Sequence, residues 1–369
     1  MIKKNNIRVL QVINSLHTGG AEKLLIDTVP LYVQQGLKMD VLVLNGTKTQ
    51  FWEALEKHNC CKIFSLGNGT VYNPFLIFKL VSYLKKYNIV HVHLFPAQYW
   101  VVLAKVISFS KTKLIFTEHS TSNRRIRNSF FGFLDTFFYK KYCKIVCITN
   151  DVFKIILNHS KVGKNKLVLI ENGVNLKKIQ LNEMLNKELT FGIKDKNAKL
   201  LIQVSSFQEP KDQKTFIHSL VYLPENVYVV LVGDGPLRQE CEHLVSRLGL
   251  NKRVLFLGVR LDVPQLLKTA DIVVLSSKYE GLSLASIEGM ASGKPFVASD
   301  VPGLRDIVGG AGILFPLGDA QKLAEIINNL LNDINLYSIT AKACMQRAQQ
   351  YDIDTMVNKH INLYKQVVS

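Results

Sequence analysis

Short apolar runs alternate with longer amphipathic stretches through the first half of the chain. The runs Ile7–Ile13, Met39–Leu44, Ile63–Leu66, Ile89–His93, Leu114–Thr117, Ile145–Ile148 and Leu167–Ile170 read as strands. Most are apolar at consecutive positions rather than at every second one, which predicts burial on both faces. Helical patterns fill most of the intervals, at Ala21–Gln34, Pro74–Tyr87, Ala97–Phe109 and Phe130–Lys141. Strand–helix alternation of this kind builds a parallel sheet. From 172 to 198 the chain turns polar and weakly periodic, which reads as a connection between domains. The alternation then restarts. Strands are predicted at Leu200–Ser205, Val227–Val232, Val254–Leu257, Ile272–Leu275, Phe296–Ala298 and Ile313–Phe315. Helices are predicted at Gln213–Tyr222, Pro236–Leu248, Val263–Thr269, Leu284–Ala291 and Ala320–Leu331, and two more near Leu336–Gln349 and Ile353–Val367 end the chain. The pattern predicts two α/β domains of similar size. Open parallel sheets bind ligands beyond the carboxyl ends of their strands, so the expected site is a cleft where the two sets of strand ends meet.

Composition refines this picture in three ways. The apolar share of 47% suits sizeable cores, and no apolar run reaches bilayer-spanning length. The six cysteines show neither disulfide-framework nor metal-ligand spacing, and they read as reduced thiols of a cytoplasmic protein. The formal charge of +17 is uneven: residues 1–180 hold 26 Lys and Arg against 9 Asp and Glu, whereas residues 181–369 hold 20 of each. A coding bias toward lysine would load both halves alike. The excess points instead to an anionic partner of the first half. Arg124, Arg125 and Arg127 precede a run rich in phenylalanine that ends in Lys140 and Lys141. Cations beside aromatics suit an anionic bilayer surface, although a core helix with basic flanks has the same composition. No helix-turn-helix, RNA-recognition or zinc motif accompanies them, so nucleic acid is not expected.

Candidate chemistry gathers at predicted strand ends. Gly19-Gly20-Ala21-Glu22 follows the first strand, and its glycines let backbone amides approach a bound group. An ordinary strand-to-helix turn has the same sequence. His91, His93 and His119 lie at strand ends, with Glu118 a candidate partner for His119. A metal pair at His91 and His93 lacks a third ligand, so no metal is expected. Lys211 stands beyond a strand at the predicted start of a helix, where its charge suits a diphosphate and opposes the helix dipole. The turn Gly233-Asp234-Gly235-Pro236 places Pro236 at a predicted first helical position. Glu280 and Glu288 bracket a turn and a helix start, where carboxylates accept from sugar hydroxyls and the amides of Gly281, Leu282, Ser283 and Leu284 can hold phosphate.

In this order, these residues resemble the retaining family-4 glycosyltransferases of the GT-B fold over nearly the whole length. Glu280-Gly281-Leu282-Ser283 through Glu288 is similar to that family's E-x7-E element, followed by Gly289, Gly293, Pro295 and Val301-Pro302-Gly303-Leu304. The resemblance implies two Rossmann-like domains, at 1–175 and 176–350, with residues 351–369 returning toward the first. It implies that Lys211 contacts the donor diphosphate and Glu288 the ribose. Glu280 with Gly281, Leu282 and Ser283 would meet the transferred sugar and phosphate. His119 would lie near sugar and acceptor, Gly19 and Gly20 would shape the first-domain wall, Gly233 would line the cleft, and Val259 would sit near the nucleobase. Ser206 stands where the family often carries an arginine, so Arg260 or Lys278 would have to compensate, or the helix-end amides would carry more charge. The implied enzyme moves a hexose from a UDP- or GDP-sugar to a saccharide or polyprenyl-linked acceptor in surface polysaccharide assembly. It would need no cofactor and would work at the cytoplasmic face of the membrane as a peripheral protein. An epimerase acting on the sugar nucleotide without acceptor, and a non-catalytic sugar-nucleotide-binding protein at the membrane, remain as alternatives.

Overall fold

A computed structural model describes residues 7–119 and 129–369. The chain divides into two compact units, one of residues 1–173 with 353–369 and one of residues 174–352.

The first unit is built on seven strands: β1 (Arg8–Ile13), β2 (Lys38–Val43), β3 (Ile63–Ser65), β4 (Ile89–His93), β5 (Lys113–Glu118), β6 (Lys144–Cys147) and β7 (Leu167–Leu169). They order as β3-β2-β1-β4-β5-β6-β7, every pair parallel. The second unit has β8 (Lys199–Val204), β9 (Val227–Val232), β10 (Val254–Gly258), β11 (Ile272–Leu275), β12 (Phe296–Ser299) and β13 (Ile313–Phe315), ordered β10-β9-β8-β11-β12-β13 and again parallel. Both sheets are doubly wound: the direction of winding reverses between β1 and β4 in one and between β8 and β11 in the other.

The continuous apolar strands have a direct physical cause. In β8 the side chains of Leu200 and Ile202 enter one hydrophobic cluster and Leu201 enters another. The same split places Val273 and Leu275 apart from Ile272 and Val274 in β11. Successive side chains point to opposite faces, and both faces are covered by helices, so neither can be polar. Each such side chain, fully buried, contributes on the order of 1.5–3 kcal/mol.

The segment 172–198 differs from its reading as a bare connection. It forms the helices Leu176–Leu181 and Lys187–Phe191, capped by the side chains of Asn175 and Asn186. Leu176, Ile179 and Phe191 are buried in the core of the second unit. Beyond that unit, helix Ile353–Val368 joins the first, setting His360 and Tyr364 against Tyr32 of helix Gly20–Gln34.

Candidate active site

In the second unit the candidate residues gather where the winding reverses. The loop after β8 carries Ser205, Ser206 and Phe207 into a single 3-10 turn, Glu209–Lys211, and Asp212 follows at φ +43°. Lys211 therefore lies before helix Gln213–Ser219 rather than at its start. Buried side chains fix it there. Gln203 of β8 donates from Nε2 to the Lys211 carbonyl at 3.0 Å, and the hydroxyl of Ser276, just past β11, shares its one proton between the Gln203 Oε1 at 2.9 Å and the Asp212 carbonyl at 2.8 Å. Lys211 Nζ then reaches Glu280 Oε1 at 2.6 Å, with the side chains 24% and 8% exposed. The Ser277 hydroxyl donates to the same oxygen at 2.7 Å. A lysine after β8 and a glutamate after β11 thus form a shielded, charge-assisted pair across the reversal point, where low local polarity strengthens it.

Two glycines hold the surrounding loops together. Gly303 has φ +81°, and a Cβ there would sit 2.4 Å from the Glu280 carbonyl oxygen, so the Pro302-Gly303 turn underpins the Glu280-Gly281 backbone. A Cβ on Gly233 would sit 2.2 Å from the Ser205 carbonyl oxygen, and its N–H donates to the Gly258 carbonyl at 2.8 Å. The ends of β8, β9 and β10 meet there, with Val259 half-buried beyond. Pro236 stays in the turn, and the helix begins at Arg238. Helix Leu284–Ala291 begins behind Ser283, whose hydroxyl accepts from the Ser286 N–H at 3.3 Å. Ile287 and Met290 anchor it in the core, and Glu288, 8% exposed, sits about one turn in. Neither cation expected to compensate for Ser206 is free: Arg260 pairs bidentately with Asp262 at 2.7 and 2.6 Å, and Lys278 pairs with Glu209.

In the first unit, Gly19 caps helix Gly20–Gln34 in an extended conformation. The Glu22 carboxylate folds over it, so closely that a Cβ on Gly19 would lie 2.3 Å from Glu22 Oε2. Burial pushes this carboxyl up to about 7, against a smaller opposing effect from its own backbone N–H. His119 extends from β5. Its partner is His93 rather than Glu118: His93 Nδ1 and His119 Nε2 are 3.0 Å apart, while Glu118 accepts from the Tyr139 hydroxyl at 2.8 Å. Neighbouring residues on a strand face opposite sides, so Glu118 never shared a face with His119.

His93 belongs to a larger cluster. Its Nε2 lies 2.8 Å from Gln11 Oε1, and Gln11 Nε2 donates to the Tyr364 hydroxyl at 3.2 Å. His91 contacts Tyr364 and Thr117, each at 2.7 Å. His360 lies beside this group with both ring nitrogens buried and without a hydrogen-bond partner among the described residues. These groups border a cavity of about 20 Å³. Burial holds His91 and His93 well below the usual imidazole value, with repulsion from neighbouring histidines adding to the effect, and takes His119 and His360 down to about 4. The imidazoles are neutral at pH 7. Among the described residues, no group of three His, Cys, Asp or Glu is placed to hold a metal.

Sequence reasoning named His119, Lys211, Glu280 and Glu288 as candidates but passed over their neighbours Gln11, Gln203, His360 and Tyr364. A signal for the two glutamines existed, since each is a polar residue flanked on both sides by apolar ones within a strand run. Lys140 and Lys141 are exposed, with Lys141 Nζ 5.2 Å from the Phe137 ring centroid. The expected membrane residues Arg124, Arg125 and Arg127 lie outside the described residues. Among the described residues, no helix is long and apolar enough to cross a membrane.

Known proteins resemble the chain across both units. A family model described as Glycosyltransferase Family 4 matches residues 18–178, and one described as Glycosyl transferases group 1 matches residues 198–333. The UDP-Gal:alpha-D-GlcNAc-diphosphoundecaprenol alpha-1,3-galactosyltransferase of Escherichia coli is 28% identical over 307 residues, 79% of this chain and 78% of the relative. The N,N'-diacetylbacillosaminyl-diphospho-undecaprenol alpha-1,3-N-acetylgalactosaminyltransferase of Campylobacter jejuni is 32% identical over 56% of each chain. Among solved structures, Anabaena Alr3699/HepE in complex with UDP and glucose superposes with a TM-score of 0.85 at 22% identity, covering 98% of this chain and all of that one, a likeness of fold.

Proposed function

Given that the chain belongs to the GT-B glycosyltransferases of the family 4 type, we propose that it transfers a hexose, with retention of anomeric configuration, from a nucleoside-diphosphate sugar to a lipid-linked saccharide in surface polysaccharide assembly. The observation that carries this reading is the Lys211–Glu280 pair at the β8/β11 reversal, beside the Gly281–Leu284 helix start. In the resting protein the pair keeps each charge partnered. An incoming diphosphate offers Lys211 a second anion, and Glu280 is released to accept from sugar hydroxyls. Glu288 takes the ribose hydroxyls, and Val259 with the Gly233 turn borders the base. Gly19 and Gly20 shape the acceptor side. With a serine at position 206, Lys211 and the amides of Gly281, Leu282 and Ser283 carry the diphosphate charge as the sugar–phosphate bond breaks. The departing phosphate oxygen takes the acceptor hydroxyl proton on the same face as attack. No protein nucleophile and no resident metal or cofactor enters this scheme.

The E. coli and C. jejuni relatives are named for acceptors on diphosphoundecaprenol, which supports a polyprenyl-linked acceptor here. A peripheral position at the cytoplasmic membrane face agrees with the basic first half and with exposed Tyr72, Phe75, Phe78 and Phe109 on that unit, Phe109 being 91% exposed. UDP-sugars and GDP-sugars form the two arms of a thermal-shift screen, since a ligand bound only by the folded state raises stability with affinity. Lys211→Ala is expected to lose the shift. Transfer of labelled sugar to polyprenyl-diphosphate saccharides then separates this enzyme from an epimerase, which converts donor without acceptor. A Lys211→Ala variant that binds donor as tightly as the parent removes the assignment.

A further inference from the structure

The histidine cluster carries a direction. Gln11 is 2% exposed, and its amide can lie in either of two orientations. Its Nε2 lies 3.2 Å from the Tyr364 hydroxyl and 3.6 Å from the Met39 sulfur, its Oε1 2.8 Å from His93 Nε2. A reversed amide could still accept from the Tyr364 hydroxyl and donate to His93, but it would turn its carbonyl oxygen toward the thioether sulfur; the orientation in the structure instead gives both amide hydrogens an acceptor, Tyr364 and Met39, and is the better satisfied of the two. A carbonyl oxygen only accepts. His93 must therefore carry its proton on Nε2 and donate to Gln11. The ring is buried and neutral, which leaves Nδ1 as a bare lone pair. His119 Nε2, 3.0 Å from that lone pair, must then be the protonated nitrogen and the donor. What remains on His119 is an unprotonated Nδ1, and the residue is partly open to solvent.

We propose that Gln11 and His93 are positioning residues that fix the tautomer of His119, so that its Nδ1 accepts a hydrogen bond from a sugar hydroxyl. The second half rests on the glycosyltransferase reading; the first does not. A neutral acceptor nitrogen welcomes a hydroxyl and offers nothing to an anion. The group it meets is a hydroxyl of a neutral hexose, and a hexuronate whose carboxylate fell at that point would be refused. The specificity of the contact is thus set two residues away from the sugar, by an amide inside β1.

The test uses full-length protein labelled with ¹⁵N-histidine, free of ligand, at pH 7.5. Two-bond proton–nitrogen correlations report the tautomer of each neutral imidazole, and loss of signal in His119→Gln assigns His119. The parent protein is expected to show His119 protonated on Nε2. His93→Leu removes the acceptor: His119 should then average between tautomers and kcat/KM should fall roughly tenfold, the loss of one good hydrogen bond. His93→Asn puts an oxygen in place of Nδ1 and should restore both. A parent His119 protonated on Nδ1 overturns the proposal without any variant being needed, as does a His93→Leu tautomer identical to the parent's. If the Nε2 tautomer holds while His119→Gln transfers sugar at the parental rate, the assignment of His119 to the sugar falls and the imidazole pair stands.

Discussion

Replacing His360 with leucine gives a quantitative reading of the buried cluster. His360 is 5% exposed, packs near Tyr32, Tyr364 and His91, and leaves both ring nitrogens without a partner among the described residues. Burial holds its folded value at about 4, against 6.5 for the free group. A base lowered in this way contributes its stability above the unfolded value and loses it as pH falls through 6.5 toward 4. At pH 5 the unfolded chain has bound a proton at this site and the folded chain has not, a loss of about 2 kcal/mol relative to pH 7.5. Leucine has no proton to bind. The variant should be about as stable as the parent at pH 7.5, because it removes buried polar ring atoms whose strongest available partner is a weak contact with the Met356 backbone. At pH 5 it should gain a further margin of about 2 kcal/mol, or about 4–8 °C in melting temperature for a unit of this size. His91, His93 and His119 titrate in both proteins, and removing His360 also relieves its repulsion of His91 and His93, which adds to the variant's margin at pH 5; Glu22, which acts in the opposite sense, is common to both proteins. Intrinsic tryptophan fluorescence isolates the right unit, since the two tryptophans, Trp52 and Trp100, both lie in it. Parallel melting curves for parent and variant between pH 7.5 and 5 would refute a neutral, desolvated His360.

Further outcomes follow from other residues. Glu22→Gln should stabilise the first unit by about 3 kcal/mol at pH 8.5 and by only about 1 kcal/mol at pH 5, because a carboxyl raised to about 7 loses stability as pH rises from its unfolded value through that one; an equal offset at both pH values in the fluorescence melt would count against it. Gly303→Ala places a methyl against the Glu280 carbonyl at a positive φ, and should cost the second unit about 2–4 kcal/mol while weakening donor binding in the same thermal-shift screen; unchanged binding would separate the Pro302-Gly303 turn from the site. Gln203→Leu removes the amide donor to the Lys211 carbonyl and leaves Ser276 only the backbone carbonyls to bond, so donor affinity by calorimetry should drop about tenfold, and parental affinity would show that Lys211 holds its place without that scaffold.

The central strands were legible because they are buried on both faces, as in the apolar run Ile272–Leu275, whose length and β-branched residues favour a strand. Several short helices were not legible. Helix Gln50–Lys57 and helix Asn150–Ser160 are announced by Thr49 and Thr149, which accept from Trp52 N and Val152 N, rather than by a long apolar period. Leu176–Leu181 spans fewer than two turns and buries only Leu176 and Ile179, so tertiary burial rather than local pattern makes it a helix. In the site, the residue types and strand-end positions of Lys211 and Glu280 were readable. Their contact was not, because it depends on β8 lying beside β11, a fact of sheet order that no local window contains. The histidine pairing was obscured by proximity in sequence: Glu118 adjoins His119 in the chain, but strand alternation sends it to the other face, toward Tyr139.

The return of residues 353–369 to the first unit has a consequence for synthesis. A ribosome makes residues 1–173 first, yet that unit lacks Tyr364 and His360 until 353–369 have emerged. The second unit, continuous from 174 to 352, holds all of its own strands and can finish first, reversing the usual N-to-C order of folding. His91 waits for the Tyr364 hydroxyl throughout that interval. Nascent chains arrested short of residue 353 are thus expected to carry a folded second unit and an incomplete histidine cluster, so that one late helix ties the assembly of the His119 environment to the emergence of residues 353–369.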